Sequence, residues 1–235
     1  LRFLLLALST FAIVISCGRR NEITDPNNLK EIFKDDFSSA VELLKEEKHL
    51  MDTIADFKQN EREILSIVFP EIIRWNAFQD IIETAADESL YVNFGSADYS
   101  IGIFQMKPSF IEQLEKYVAE NNIGACSFVK IHEKDSKEER RERINRLKQN
   151  YWQLKYAQAY WTVAQHRFEK IEFKTKEDQI HFFATAFNYG FTKPIDEIKA
   201  WQLKKAFPYG LNYQGTQGAY GDFSIIFYHQ YSDKF

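Results

Sequence analysis

The sequence predicts a mainly α-helical domain organised around one long central helix. Apolar residues recur at the three- and four-residue spacing of amphipathic helices through most of the chain. The 235 residues include only 9 glycines and 5 prolines, and the order of apolar segments shows no strand–helix–strand alternation. These features disfavour all-β and α/β folds, and a chain of this length can bury a sizeable core.

The first sixteen residues are almost entirely apolar and end in serine, directly before Cys17. Such a run is short for a membrane-spanning helix and is typical of the apolar core of a signal peptide. Residues 14–17, Val-Ile-Ser-Cys, resemble a bacterial lipobox, so residues 1–16 are predicted to be a lipoprotein signal peptide. Acylation of Cys17 would anchor the protein without a spanning helix. A simple membrane anchor and an ordinary cleaved signal are the alternatives.

Residues 17–58 are predicted to be a polar tether followed by an amphipathic helix. Asp25-Pro26-Asn27-Asn28 is a turn signal. Apolar residues at helical spacing predict a single helix over residues 29–50, which we expect to pack on the main domain.

Residues 59–235 are predicted to form the main domain. Its first helix covers residues 61–75, and Pro70 predicts a kink or break near Phe69. Further helices are expected at about 79–92 and 108–117, with a loop at 93–99.

The long central helix is predicted over residues 135–168, with Asp135 or Ser136 as its cap. Thr175 and Asp178 resemble a capping box that opens a helix reaching Asn188, and Gly190 would stop it. A helix over 194–206, a loop over 208–221 and a helix or strand over 223–231 complete the domain.

Charge and cysteine content exclude several functional classes. The net charge of −4 gives no reason to expect nucleic acid or anionic lipid as the main partner. If Cys17 is acylated, Cys126 is the only thiol left and no intrachain disulfide can form. The five histidines are scattered and no group has zinc-ligand spacing, so we expect neither a metal nor a cofactor.

Glu71 is the first candidate for chemistry because it is a charged residue within an apolar helix. Residues 67–73 read Ile-Val-Phe-Pro-Glu-Ile-Ile. Burial raises the pKa of a carboxyl group and can keep it protonated near neutral pH, which a glycosidic bond needs from its proton donor. The alternative is a solvent-facing glutamate on an amphipathic helix.

Two short segments downstream of Glu71 resemble a known family. Residues 102–105 read Gly-Ile-Phe-Gln and residues 184–190 read Ala-Thr-Ala-Phe-Asn-Tyr-Gly. Their order and flanking helices resemble the cleft signatures Gly-x-x-Gln and Ala-x-Ala-Tyr-Asn-x-Gly of soluble lytic transglycosylases and goose-type lysozymes. The resemblance implies a lysozyme-like helical domain that acts on peptidoglycan strands.

The chain departs from the family pattern at the acid and at one aromatic position. The family's catalytic glutamate is followed by Ser or Thr and lies closer to Gly-x-x-Gln. Glu83 and Glu88 fit that spacing better than Glu71, but Glu71 has the more apolar context and stands first, with Glu83 and then Glu88 as alternatives. Phe187 replaces a tyrosine that would bond near the acid; either Tyr189 takes over that role or the site is weakened.

The resemblance implies a murein lytic transglycosylase that forms 1,6-anhydro-muramoyl ends with Glu71 as general acid and base. Asp80 and Asp98 are possible helpers if water is the acceptor. The alternative function is a catalytically inactive, lysozyme-like lipoprotein that binds glycan or scaffolds an envelope complex. The implied location is the periplasm-facing side of a bacterial membrane, with the outer membrane favoured. The expected substrate-binding residues are Ser100, Gly102, Gln105, Met106, Phe187, Asn188 and Tyr189.

Overall fold

The computed structural model describes residues 26–77, 85–129 and 135–234. The protein is mainly α-helical, as predicted, and over these residues extended pairing is limited to isolated bridges. No helix in this part of the chain is both long and apolar enough to cross a membrane. The helices, in chain order, are α1 (Pro26–Ile32), α2 (Lys34–Glu46), α3 (Lys48–Met51), α4 (Glu61–Ala77), α5 (Ala85–Phe94), α6 (Pro108–Glu120), α7 (Lys137–Leu147), α8 (Asn150–Arg167), α9 (Lys176–Tyr189), α10 (Ile195–Trp201) and α11 (Tyr220–Gln230).

Helix α4 lies at the centre of the fold. Every residue from 64 to 73 is buried, and the helix packs against α2, α8, α9 and α11. The predicted break near Phe69 is wrong, because α4 runs through Pro70 without interruption. Proline removes one helical hydrogen bond, and packing on all sides compensates for that loss.

The predicted single helix over residues 29–50 is three helices, α1 to α3. Breaks at Phe33 and Glu47 separate them. The packing expected of this segment is present, since Phe37 of α2 stacks on Phe69 of α4 at 5.5 Å and on Phe223 of α11 at 5.8 Å between ring centroids.

The predicted long helix over residues 135–168 is two helices, α7 and α8. Ser136 caps α7 as expected, and its hydroxyl accepts a hydrogen bond from the Glu139 amide at 3.2 Å. The chain becomes extended at Gln149 before α8 begins. The predicted long helix is therefore divided, and the helix at the centre of the fold is α4 instead.

The C-terminal elements follow the predicted order with different ends. Thr175 accepts a hydrogen bond from the Asp178 amide at 3.1 Å and caps α9, and Gly190 at a φ of 124° ends it. Helix α10 stops at Trp201, well before residue 206. The closing segment, predicted as helix or strand, is the helix α11.

A buried ionic cluster joins α5, α6 and α7. Arg143 is only 3% exposed, and it bonds Glu115 at 2.8 Å and Glu112 at 3.2 Å. The Tyr91 hydroxyl also contacts Arg143 and donates to Glu112 at 2.6 Å. Because Glu115 is buried as well, the charges of Arg143 and Glu115 each offset the cost of burying the other.

Arg143→Ala should lower the free energy of unfolding by about 3–5 kcal/mol, because it removes the cation that Arg143 supplies to the buried Glu115 carboxylate. Urea denaturation measures the loss. The control is Glu112→Gln, whose side chain is 39% exposed and which should cost less than about 1 kcal/mol. Equal effects of the two substitutions would contradict the assignment.

Candidate active site

Glu71 is a buried acid on the central helix. It is 3% exposed, and its neighbours Ile72 and Ile73 are fully buried. Its carboxyl group therefore needs partners from the surrounding helices, because an unpaired carboxylate in such a place is strongly disfavoured.

Two side chains donate hydrogen bonds to Glu71. Arg74, one turn along α4, approaches through Nη1 at 3.3 Å from Oε1 and 3.1 Å from Oε2. Asn188, in the last turn of α9, donates from Nδ2 to Oε1 at 3.3 Å. The structure thus joins the first predicted acid to the asparagine of the second predicted motif.

Tyr220, the first residue of α11, is a third neighbour of the Glu71 carboxyl. Its hydroxyl donates to the Ile67 carbonyl at 3.2 Å, one helical turn before Glu71. The same hydroxyl also interacts with the Glu71 carboxyl.

Burial raises the pKa of the Glu71 carboxyl above its ordinary value, and this is the largest effect on it. The charge of Arg74, the hydrogen bonds from Asn188 and Arg74 and the nearby Tyr220 hydroxyl oppose the rise without cancelling it. A carboxyl group in this state carries its proton to higher pH than an exposed one, as a general acid requires.

A cavity of about 210 Å³ lies next to the partners of Glu71, although the described residues of its wall do not include Glu71 itself. Its wall includes Arg74, Asn188 and Tyr220, which are the three residues that contact the carboxyl. Trp201 and Phe207 supply aromatic surface on the same wall. A small ligand in this cavity would therefore lie beside the partners of Glu71.

Residues 101–106 form a tight turn held by its own backbone. Ile101 and Met106 exchange two hydrogen bonds of 3.0 and 3.2 Å. Gly102 has a φ of 69° and Gln105 a φ of 46°, both left-handed. The Gln105 side chain donates to the Gly102 carbonyl at 2.9 Å, so this glutamine contributes to the turn itself.

Gln153 of α8 anchors this turn to the core. Its Oε1 accepts from the Phe104 amide at 2.8 Å, and its Nε2 donates to the Leu147 carbonyl at 2.6 Å. A Cβ atom on Gly102 would lie 1.5 Å from Gln153 Nε2. Glycine is thus required at position 102 both by the backbone angle and by the close approach of the amide.

An aromatic contact links the turn to the Glu71 region. Helix α6 begins at Pro108, directly after the turn, and its Phe110 ring meets Phe187 edge-on at 5.0 Å. Phe187 precedes Asn188, which bonds Glu71. The turn and the acid are therefore parts of one packed unit, although the turn bonds itself and Gln153 rather than the carboxyl.

The structure separates the predicted substrate-binding residues into two groups. The side chains of Met106 and Phe187 are 1% and 8% exposed, so they serve packing. Ser100, Gly102, Gln105, Asn188 and Tyr189 are half-buried and keep some surface.

The role expected of Tyr189 is wrong. Its hydroxyl donates to Glu197 at 3.1 Å and its ring stacks on Trp201 at 4.6 Å. The hydroxyl near Glu71 comes from Tyr220 instead, which lies far along the chain from the predicted motif.

The other predicted acids do not reach this site or lie outside the described residues. Glu88 is partly exposed on α5 and pairs with Lys148. Asp98 accepts a hydrogen bond from the Ser109 amide at 3.1 Å and so caps α6. Glu83, Asp80 and the predicted lipidation site Cys17 fall outside the described residues.

Sequence reasoning missed Arg74, Tyr220, Trp201 and Lys204, all of which line the cavity. Arg74 could have been found, since residues three apart on a helix lie on the same side. The remaining three come from segments whose contact with α4 depends on tertiary packing.

Comparisons with protein-family profiles, with curated proteins and with solved structures found no match to the chain. Over the described residues, no cluster of three or more His, Cys, Asp or Glu side chains is arranged to hold a metal ion.

Gly102→Ala should destabilise the protein by about 2–4 kcal/mol, because the new Cβ displaces Gln153 and leaves the Phe104 amide and Leu147 carbonyl without their partner. Gly124→Ala is a matched control, since a Cβ there meets nothing within 4 Å. Urea denaturation should show little change for the control. Similar losses in both variants would contradict the anchoring role of Gln153.

The stability difference between the wild type and Glu71→Gln should change with pH in a defined direction. Above the carboxyl's unfolded pKa of about 4.3, the folded protein retains the Glu71 proton that the unfolded chain releases. Wild-type stability should therefore fall relative to the variant as pH rises through the raised pKa of the folded state. Urea denaturation of both proteins between pH 4 and 8 measures this difference. A constant difference, or one that grows in favour of the wild type, would contradict the raised pKa.

Proposed function

We propose that the protein is a murein lytic transglycosylase with a lysozyme-like domain, cleaving the β-1,4 bond between N-acetylmuramic acid and N-acetylglucosamine. The observation that carries this proposal is the buried Glu71 carboxyl, which bonds Asn188 of the family-like motif and whose partners Arg74, Asn188 and Tyr220 line a cavity. The turn at residues 101–106 supports it, because the Gly-x-x-Gln segment is built as a rigid unit on α8.

In the proposed reaction, Glu71 first protonates the glycosidic oxygen and the bond from that oxygen to the muramoyl C1 breaks. N-acetylglucosamine leaves with a free 4-hydroxyl. The Glu71 carboxylate then removes the proton from the muramoyl C6 hydroxyl while O6 bonds to C1. The product is a 1,6-anhydro ring, and Glu71 regains its proton.

This route needs no second carboxylate, because the substrate's own hydroxyl is the nucleophile. The described residues that line the cavity include neither Asp nor Glu. Enzymes that use water or a covalent intermediate require a second acid about 5–9.5 Å from the first. A wall without a second acid is consistent with the anhydro route.

The proposed partner is the glycan strand of peptidoglycan, and the proposed location is the bacterial cell envelope. Acylation of Cys17 would hold the domain at a membrane, facing the periplasm, with the outer membrane as the favoured site. An anchored enzyme of this kind would reach murein without diffusing away.

A non-catalytic glycan-binding protein is the second candidate. Two observations favour it: phenylalanine occupies position 187, and Arg74 pairs with Glu71 at 3.1 Å, which stabilises the ionised carboxylate. The argument from Phe187 is weakened by Tyr220, whose hydroxyl lies near the Glu71 carboxyl in place of the missing one.

Digestion of murein sacculi by the full chain, purified in mild detergent, tests the proposal. Mass spectrometry should detect anhydro-muropeptides, and Glu71→Gln should reduce their release by at least about a thousandfold, since removal of the proton donor leaves no general acid. Glu88→Gln is the matched control and should keep wild-type activity.

Each other outcome has a distinct meaning. Products with reducing ends and no anhydro mass would make the protein a hydrolase. Absence of soluble products from the wild type would contradict the enzymatic proposal and favour the binding protein. Full activity in Glu71→Gln would show that another residue is the general acid.

A further inference from the structure

The charged side chains described in the wall of the cavity next to Glu71's partners are both cationic. Arg74 and Lys204 both contribute to its wall, and the described residues of that wall include no acidic side chain. The half-buried Asn188 amide on the same wall carries two N–H donors, one of which bonds Glu71. A ligand that fits this surface carries a negative charge together with polar acceptors.

We propose that this cavity binds a carboxylate of the substrate through Arg74 and Lys204. This inference rests on the proposed function, which makes the ligand a peptidoglycan strand. It adds that the cavity recognises an acidic group of the substrate next to the cleaved bond. Neutral glycans of the same length would lack this interaction.

The geometry of Arg74 leaves it able to hold a second anion. Its contacts with Glu71 both run through Nη1, whereas a guanidinium group has five N–H donors. The guanidinium lies 4.7 Å from the centre of the Phe207 ring, which fixes its plane beside the cavity. Its side chain is 29% exposed, so an incoming carboxylate can reach it.

The protonated state of Glu71 creates a need for that second anion. When Glu71 is protonated as an acid, the half-buried guanidinium loses its anionic partner. A substrate carboxylate on Arg74 would replace it. Its negative charge near Glu71 would also favour the protonated carboxyl, so binding and preparation of the acid would support each other.

The size of the cavity limits what enters it. Its volume of about 210 Å³ lies below the roughly 300–1,000 Å³ of sites that enclose a whole drug-sized ligand. It can hold an acidic substituent or a single ring, and the rest of a glycan strand must lie outside. Trp201, on the same wall, offers a ring face to an adjoining sugar.

Two parts of murein carry the required carboxylate. One is the lactyl group of the muramoyl ring when it bears no peptide, and the other is the peptide when one is attached. Both present the same group to Arg74 and Lys204, so the test compares them directly.

Calorimetric titration of the full chain in detergent tests the inference with two ligand pairs. The first pair is the N-acetylglucosaminyl–N-acetylmuramic acid disaccharide and its lactyl methyl ester. The second is the disaccharide–peptide and the same compound with all peptide carboxylates amidated. The acidic member of at least one pair should bind about tenfold more tightly than its neutral form, and the pair that shows the preference identifies the source.

Variants then assign the preference to residues. Arg74→Gln should abolish it, and Lys204→Gln, an exposed change unable to disturb the core, should reduce it about threefold. Lys199→Gln removes the same charge from α10 on the wall of a different groove and should leave the preference intact.

Equal binding of acidic and neutral forms in both pairs would overturn the inference, as would the absence of binding by every ligand. A preference that survives in the Arg74→Gln/Lys204→Gln double variant would also overturn it. A preference without cleavage of sacculi contradicts the proposed function alone, whereas cleavage without a preference contradicts this inference alone.

Discussion

Burial of the Glu71 carboxyl is the constraint on which the site depends. An ionised carboxylate in a protein interior costs several kcal/mol unless hydrogen bonds and opposite charge compensate. Helix α4 is surrounded by other helices at this point, so the compensation must come from α9 and α11 as well as from α4 itself. Asn188, Tyr220 and Arg74 supply it. The compensation is incomplete, which leaves the pKa raised and the group suited to acid chemistry.

The rest of the structure positions those partners. Helix α8 carries Gln153, whose amide fixes the turn at residues 101–106, and that turn sets where α6 begins. Phe110 of α6 then packs on Phe187, next to Asn188. A change in the turn is therefore transmitted through aromatic contacts to a residue that touches the acid. Close packing makes such a transmission effective, because side chains in a dense core cannot shift independently.

The sequence was informative where local chemistry decides structure and less so where packing does. Capping by Ser136 and Thr175 and the stop at Gly190 follow from hydrogen bonds within a few residues, and they were predicted. The continuity of α4 through Pro70 was not, because burial on all sides outweighs a local penalty. The breaks at Phe33 and Gln149 were missed because apolar periodicity continues across them. In the site, Glu71 and Asn188 were identified from their contexts, whereas Tyr220 and Lys204 approach through tertiary packing that no local pattern reports.

The proposed acid chemistry requires that the pKa of the buried Glu71 carboxyl be raised in the folded protein. Carbon-13 NMR of side-chain-labelled glutamate, with Glu71→Gln used to assign the resonance, measures that pKa directly. The titration midpoint of Glu71 should lie above the ordinary glutamate value of about 4.3. The Glu71 carboxyl should still be partly protonated when the exposed glutamates have ionised. A midpoint at or below that ordinary value would show that Arg74 holds Glu71 as a carboxylate, and it would contradict the proposed role of Glu71 as the proton donor.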